Sequence, residues 1–377
     1  MTELALGMCA GENSGDLLAS LLMGGIQAQS PAARFYGIGG PRMVAKGFDA
    51  RWPAERLAVH GYIEALKRYR ELVGIRNQFR EQMLAVPPNV FVGIDAPDFN
   101  LDLEISLKAA GIPTVHFISP SIWAWRGERI HKIKTAVDHM LCVFPFEAPL
   151  YEQAGIPVTY VGHPLAEVIP MQVDVQAARR QLGIASDALV VALLPGSRNA
   201  EIRYIAPAFL GAAKLMLKQR PELQFVLPAA NPDFAGKVAA LAQAIDLPLR
   251  ITDGQSHQVL AACNSAIVGS GTATLETALF KKPMVIGYRM NWLQYKIMWP
   301  KRYKPFVGLP NVLDDDFIVP ELLQDDCTAA KLAATALKQL DDHAGNERLL
   351  ARFVEFHHAL QRNTAELAAQ AVLGVVR

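Results

Sequence analysis

Short apolar runs rich in β-branched residues alternate along almost the whole chain with longer stretches whose apolar positions recur at helical spacing. That alternation predicts βαβ units feeding a parallel sheet, because a strand buried on both faces reads as a nearly unbroken apolar run. In the first half the predicted strands are residues 4–9, 34–38, 90–94, 114–118, 139–144 and 158–161. A second series, at 189–194, 223–227, 249–252, 266–268 and 284–286, predicts a second sheet. Between the series Gly162-His163-Pro164 to Pro170 reads as a linker, with the boundary near 165–170. The predicted organisation is a Rossmann-like domain over 1–167, a second over 168–343, and a helical segment over 344–377 able to cross back. After Pro320 the pattern predicts helix only.

The composition narrows the class. At 377 residues, 51% hydrophobic and 19% charged, the chain is no disordered protein and can bury a large core. Its 37 Lys+Arg against 36 Asp+Glu leave +1, so no global field draws in nucleic acid. Cys9, Cys142, Cys263 and Cys327 lie far apart without a C-x-x-C pair, which excludes a zinc ribbon and a disulfide framework and suits a reducing compartment. The histidines form no ligand set at metal spacing, so no metal is expected. Residues 1–4 carry no basic n-region, and the uncharged stretch 255–275 is broken by Asn264, Ser265, Ser270, Gly271 and Thr272. Neither a secretory signal nor a bilayer span is read, and a cytoplasmic protein is expected.

In open α/β sheets ligands bind beyond the carboxyl ends of the strands, so the chemistry is sought in strand-to-helix loops. Gly11-Glu12-Asn13-Ser14-Gly15-Asp16 follows the first strand, and its small residues Ser14 and Gly15 let a ligand approach a helix start. It is neither a G-x-G-x-x-G fingerprint nor a Walker A loop. Gly93-Ile94-Asp95-Ala96-Pro97-Asp98-Phe99-Asn100 ends a strand in two carboxylates, one suited to a general base and one to capping the next helix. Ser119-Pro120-Ser121-Ile122-Trp123-Ala124-Trp125-Arg126 sets two tryptophans and an arginine at another strand end, either in the core or against a ligand. In the second half, Leu194-Pro195-Gly196-Ser197-Arg198-Asn199-Ala200-Glu201 offers backbone N–H groups and a guanidinium to a diphosphate. Gly269-Ser270-Gly271-Thr272-Ala273-Thr274-Leu275-Glu276 places a carboxylate where it can accept ribose hydroxyls, or simply face solvent. His163 either touches substrate or packs.

Together the Gly11–Asp16, Gly93–Asn100, Ser119–Arg126, Leu194–Arg198 and Ser270–Ala273 motifs resemble, in order and over almost the whole chain, the signatures of bacterial lipid-A-disaccharide synthases. The resemblance implies a two-Rossmann, GT-B type α/β fold and a metal-independent, inverting hexosyltransferase without a cofactor. The implied reaction joins UDP-2,3-diacylglucosamine to 2,3-diacylglucosamine 1-phosphate (lipid X), releasing UDP, on the cytoplasmic face of the inner membrane. The catalytic base is expected to be Asp98, just beyond an apolar strand that ends at the cleft, with Glu12 and His163 as the alternatives. The resemblance implies substrate binding by Ser14, Gly15, Asn100, Trp125, Gly196, Ser197, Arg198, Glu201, Ser270, Gly271, Thr272, Glu276 and Asn311. The residues themselves support that chemistry, since sugar transfer needs a base for the acceptor and a positive pocket for the leaving diphosphate. Domain closure about the linker is expected to assemble those parts.

Two other readings fit the pattern. A UDP-sugar 2-epimerase shares the fold but needs no lipid acceptor, and a two-lobed binding protein closes on a ligand without chemistry. Membrane docking is expected from two segments. One holds Tyr62, Leu66, Tyr69, Val73 and Phe79 with Lys67, Arg68, Arg70, Arg76 and Arg80 around them. The other, residues 292–304, interleaves Trp292, Tyr295, Trp299 and Tyr303 with Lys296, Lys301, Arg302 and Lys304. Self-association into a homodimer is left open.

Overall fold

A computed structural model of the chain describes residues 4–11, 13–53 and 62–376. The chain divides into two compact units, Met1–Glu167 with Ala359–Arg377, and Val168–His358. Glu12 lies outside the described residues, as do the side chains of Tyr62, Leu66, Lys67, Arg68 and Tyr69.

The first unit is built on seven parallel strands: β1 (Ala5–Ala10), β2 (Arg34–Gly39), β3 (Asp49–Pro53), β4 (Val90–Ile94), β5 (Thr114–Phe117), β6 (His139–Cys142) and β7 (Val158–Tyr160). Their spatial order is β3-β2-β1-β4-β5-β6-β7. The chain winds outward from β1 to β3, then returns to lay β4 beside β1 in register from Leu6↔Val90 to Ala10↔Ile94. That reversal leaves a crevice beyond Ala10 and Ile94, because the connections from β1 and β4 depart in opposite directions. Beneath it Phe79 sits edge-on between Trp52 and Phe91, with Ile38, Leu103 and Leu107 completing one core.

The second unit repeats the plan with six strands: β8 (Leu189–Leu194), β9 (Leu223–Ala229), β10 (Leu249–Asp253), β11 (Ser265–Val268), β12 (Met284–Tyr288) and β13 (Glu321–Leu323). The order β10-β9-β8-β11-β12-β13 puts its reversal between β8 and β11, paired up to Leu194↔Val268.

Two edge strands depart from the sequence expectation. β3, Asp49-Ala-Arg-Trp-Pro, and β13, Glu321-Leu-Leu, carry no apolar run, because an edge strand is paired on one side only and needs little apolar content. Pro53 closes β3 at the edge, where a missing donor costs least. β13 also replaces the helix expected directly after Pro320: a single 3-10 turn, Gln324–Asp326, follows it, and α-helix begins only at Ala329–Asp341.

The expected terminal segment at 344 is divided differently. The helix His343–Leu360 belongs to the second unit as far as His358, and the helix Thr364–Val375 packs on the helix Asn13–Gln29 of the first. Gly25 makes that packing close, since a Cβ there would stand 2.2 Å from the Ala365 carbonyl oxygen. The returning chain is tied down by Tyr160 Oη donating to the Ala359 carbonyl at 2.7 Å and by His163 N donating to the Leu360 carbonyl at 2.9 Å. Among the described residues no helix is long and apolar enough to cross a membrane.

Candidate active site

In the first unit the loops after β1 and β4 flank the winding reversal. Ser14 is exposed, and Gly15 is buried against Ile94. Asp16 is buried and acts locally: its carboxylate accepts from the backbone N–H groups of Gly40, Arg42 and Met43 at 3.0–3.1 Å, capping the turn after β2. Across the crevice, Asp95 and Ala96 both take left-handed backbone angles, φ 55° and 43°, which side chains other than glycine seldom adopt. Pro97 then starts the helix Pro97–Ala109, whose first turn presents Asp98 with 81% of its side chain exposed. Arg129 donates to Asp98 Oδ1 at 2.5 Å.

Asn100 is fully buried, and its amide donates to the carbonyls of Cys9, Ile94 and Asp95. It holds the ends of β1 and β4 together, so its contribution to the site runs through the loop it braces. One turn further, the fully buried Glu104 carboxylate meets His116 Nδ1 at 2.8 Å. Sequence reading did not single out this pair. Its signal is a lone Glu in an apolar helix face and a His inside a strand. Gly93 makes room for it, since a Cβ there would lie 2.1 Å from Glu104 Oε1. Burial beside this layer pushes the Asp95 carboxyl above its ordinary range.

Trp125 is half-buried, with the Arg126 guanidinium 4.3 Å above its ring. His163 is half-buried against Phe144, ring centres 5.3 Å apart, and burial pushes its pKa down to about 4. Its Nδ1 accepts from the Leu165 N–H at 3.2 Å, so the neutral ring carries its hydrogen on Nε2 and is a donor at that edge.

In the second unit the loops after β8 and β11 flank the reversal, with Gly269 N donating to the Leu194 carbonyl at 2.7 Å. Gly196 has φ +121°, and the place of a Cβ there is filled by the Glu201 carboxylate 2.1 Å away. Glu201 Oε2 accepts from Ser197 N at 2.6 Å and Arg198 N at 2.7 Å. Of the Gly196 and Ser197 N–H groups expected to face a diphosphate, that of Ser197 is therefore held by an internal anion, as is the Arg198 N–H, while the Arg198 side chain stays 64% exposed. Ser270 Oγ donates to the Val307 carbonyl and Thr274 Oγ1 accepts from Leu309 N, zipping this loop to 307–309. Gly271, at φ +124°, and Thr272 remain exposed at the helix start. Glu276 is half-buried, 3.9 Å from His257 Nε2. Asn311 is fully buried and uses its whole amide internally: it donates to Val319 O and Glu321 and accepts from Ile318 N and Val319 N. Glu321 in turn accepts from Val307 and Gly308. Asn311 and Glu321 thus fix the 307–321 loop that backs Ser270. Among the described residues, no group of three or more His, Cys, Asp or Glu is placed to hold a metal ion.

Two doubly wound parallel domains, each with a pair of small-residue loops at its winding reversal, make up the GT-B type of fold, which glycosyltransferases share with UDP-sugar 2-epimerases. A calicheamicin glycosyltransferase superposes with a TM-score of 0.62 at 14% identity over 100% of this chain and 98% of that one. A UDP-GlcNAc 2-epimerase from Neisseria meningitidis, bound to UDP-GlcNAc, gives 0.58 at 9% over 98% of each. At such identities the likeness is one of fold. The family model described as lipid-A-disaccharide synthetase matches residues 6–374, and the lipid-A-disaccharide synthase of Paraburkholderia phymatum is 52% identical over 100% of this chain and 97% of its own. The chain belongs to the lipid-A-disaccharide synthase family, and it is a glycosyltransferase of lipid A biosynthesis.

Proposed function

We propose that the chain transfers a 2,3-diacylglucosamine unit from UDP to the 6-hydroxyl of 2,3-diacylglucosamine 1-phosphate, giving a β-1,6-linked disaccharide 1-phosphate and UDP. The observation that carries this reading is the exposed Asp98 carboxylate beyond the β1/β4 reversal, with Oδ1 engaged by Arg129 and, among the described residues, no hydrogen bond to Oδ2. Asp98 acts as the base on the acceptor hydroxyl, while the loops after β8 and β11 hold the donor nucleotide. Arg198 meets the charge that builds on the departing diphosphate, and Glu276 accepts ribose hydroxyls. Binding of diphosphate at Ser197 and Arg198 displaces the Glu201 carboxylate from their N–H groups, so the loop exchanges an internal anion for the ligand.

Both substrates carry acyl chains, and the reading includes docking at an anionic membrane surface without insertion. Trp292, Leu293 and Ile297 expose 62%, 59% and 52% of their surface on a helix, Trp292–Met298, that has no buried residue. Lys296 lies 4.3 Å over the Trp292 ring. Such an exposed apolar cluster with cations beside it suits the headgroup region. The earlier segment contributes less than its spacing suggested, because Phe79 is fully buried and Arg76 pairs with Asp102 at 2.6 Å.

The test is incubation with both lipid substrates and mass spectrometry of the products. A tetraacyl disaccharide 1-phosphate with stoichiometric UDP is expected. Interconversion of the donor sugar without acceptor consumption would instead identify an epimerase.

A further inference from the structure

Glu147 stands at the start of the helix Ala148–Gln153, just past β6, and is 2% exposed. Its carboxylate accepts from the Phe144 N–H at 3.1 Å, and the Val143 N–H, the Ser119 hydroxyl and the Trp123 indole N–H lie close enough to favour its charged form. Four donors from two loops therefore converge on one buried anion. Ser119 in turn lies 2.7 Å from the Tyr151 hydroxyl, so the tyrosine donates to the serine and the serine to the carboxylate. The Trp123 ring stands edge-on to Phe146 at 5.2 Å, and Phe146 stacks on Phe144, which contacts His163. The loop 119–126 makes tight turns, with positive φ at Ser121 and Arg126, and its fixed points include these contacts to Glu147 and Tyr151.

We infer that Glu147 is a positioning residue for the transfer reaction: as an anion it holds the Ser119–Arg126 loop, and with it Trp125 and Arg126, in the geometry the substrate meets. This rests on the reading that the loop borders the substrate site. The charge state of Glu147 decides the clamp. The carboxylate accepts from all four groups, whereas the acid form carries a hydrogen that the two backbone N–H groups and the indole cannot accept, and that is taken up only if the Ser119–Tyr151 hydroxyl pair reverses. Burial pushes its pKa up to about 7 against the pull of those donors. The other titratable groups facing it stay silent there. Cys142 and Tyr151 are pushed well above their ordinary values, Tyr160 is pushed up to about 12, and the nearby His163 is held neutral. The rate should therefore rise with pH through about 7 as the clamp closes.

The experiment compares wild type with Glu147→Gln and Trp123→Phe, measuring kcat against pH and UDP affinity by calorimetry. Glu147→Gln turns an amide NH2 against the donors and is expected to lower kcat roughly 10²-fold, the scale for a displaced positioning loop, while flattening the limb near pH 7. Trp123→Phe keeps the ring on Phe146 and removes one N–H, so a smaller loss of kcat is expected with the limb retained. UDP affinity should stay at the wild-type value in both, which also shows that the variants are folded. Glu147→Gln with wild-type kcat overturns the inference, and so does a lowered kcat with the limb unchanged, since that marks a merely structural residue. Wild-type enzyme that makes no disaccharide overturns the proposed function and this inference with it, an outcome read from the wild type alone.

Discussion

Arg129 holds one oxygen of Asp98 from the helix Arg129–Ala136, so the exposed carboxylate is oriented although little else encloses it. A base used this way should be sensitive to its own loss far more than to loss of its orienter. Asp98→Asn is expected to lower kcat by roughly 10²–10⁴, the range for a general base, with UDP affinity unchanged. Arg129→Met should cost about tenfold in kcat, because the carboxylate remains but is no longer fixed. Steady-state kinetics that rank the two variants in the opposite order would move the base elsewhere.

In the donor half, Glu201 competes with any anion for Ser197 N and Arg198 N. Glu201→Gln removes the negative charge and should tighten binding of inorganic diphosphate a few-fold. Arg198→Ala should weaken UDP by about 1.5–3 kcal/mol, the range for a hydrogen bond to a charged group. Glu276→Gln should weaken UDP more than inorganic diphosphate, because only UDP carries a ribose. Calorimetric titrations with both ligands check all three, and unchanged affinity for Arg198→Ala would relocate the nucleotide.

His163 predicts a pH effect on stability. Its folded pKa, about 4, lies below the ordinary value of 6.5, so the unfolded chain binds the proton more readily. Its contribution is fully present above pH 6.5 and is lost as pH falls toward 4, by up to about 3 kcal/mol. Denaturant titrations of wild type and His163→Gln at pH 7 and pH 4.5 should converge at the lower pH, and parallel curves would rule the effect out.

Membrane docking is expected to depend on the Trp292–Met298 helix. Arg302 lies over the Trp299 ring and donates to the Lys304 carbonyl, and Lys304 pairs with Asp315 at 2.6 Å, so these two cations are partly engaged within the chain. Changing Trp292, Leu293 and Ile297 together to Ser should abolish co-sedimentation with phosphatidylglycerol vesicles while leaving turnover on detergent-dispersed substrates. Lys296→Ser with Lys301→Ser should weaken it mainly at low salt. Undiminished co-sedimentation of the apolar triple variant would place attachment on another surface.

The parts of this design legible in the sequence were those where one residue type has one physical task. Buried central strands such as Leu189–Leu194 are unbroken apolar runs, and both pairs of reversal loops announced themselves through glycine, proline and an acid or arginine at a strand end. What stayed hidden depends on partners distant in the chain. Glu104 needs His116 and the absent side chain of Gly93, and Glu147 needs Ser119 and Trp123, so each reads in sequence as an ordinary acid. For Asn100 and Asn311 the family resemblance implies substrate contacts. The structure spends their hydrogen bonds on strand ends and on the 317–321 segment.

The strip from Ala359 to Val375 belongs to the domain that begins with β1, yet it is synthesised only after the whole of the Val168–His358 unit. A ribosome therefore releases the second unit as one contiguous stretch free to fold, while the first waits with its Asn13–Gln29 helix uncovered until Thr364–Val375 arrives. Premature termination within the last helix would leave the second unit whole but its neighbour half-clad, exposing apolar surface that quality-control proteases and chaperones read as unfinished.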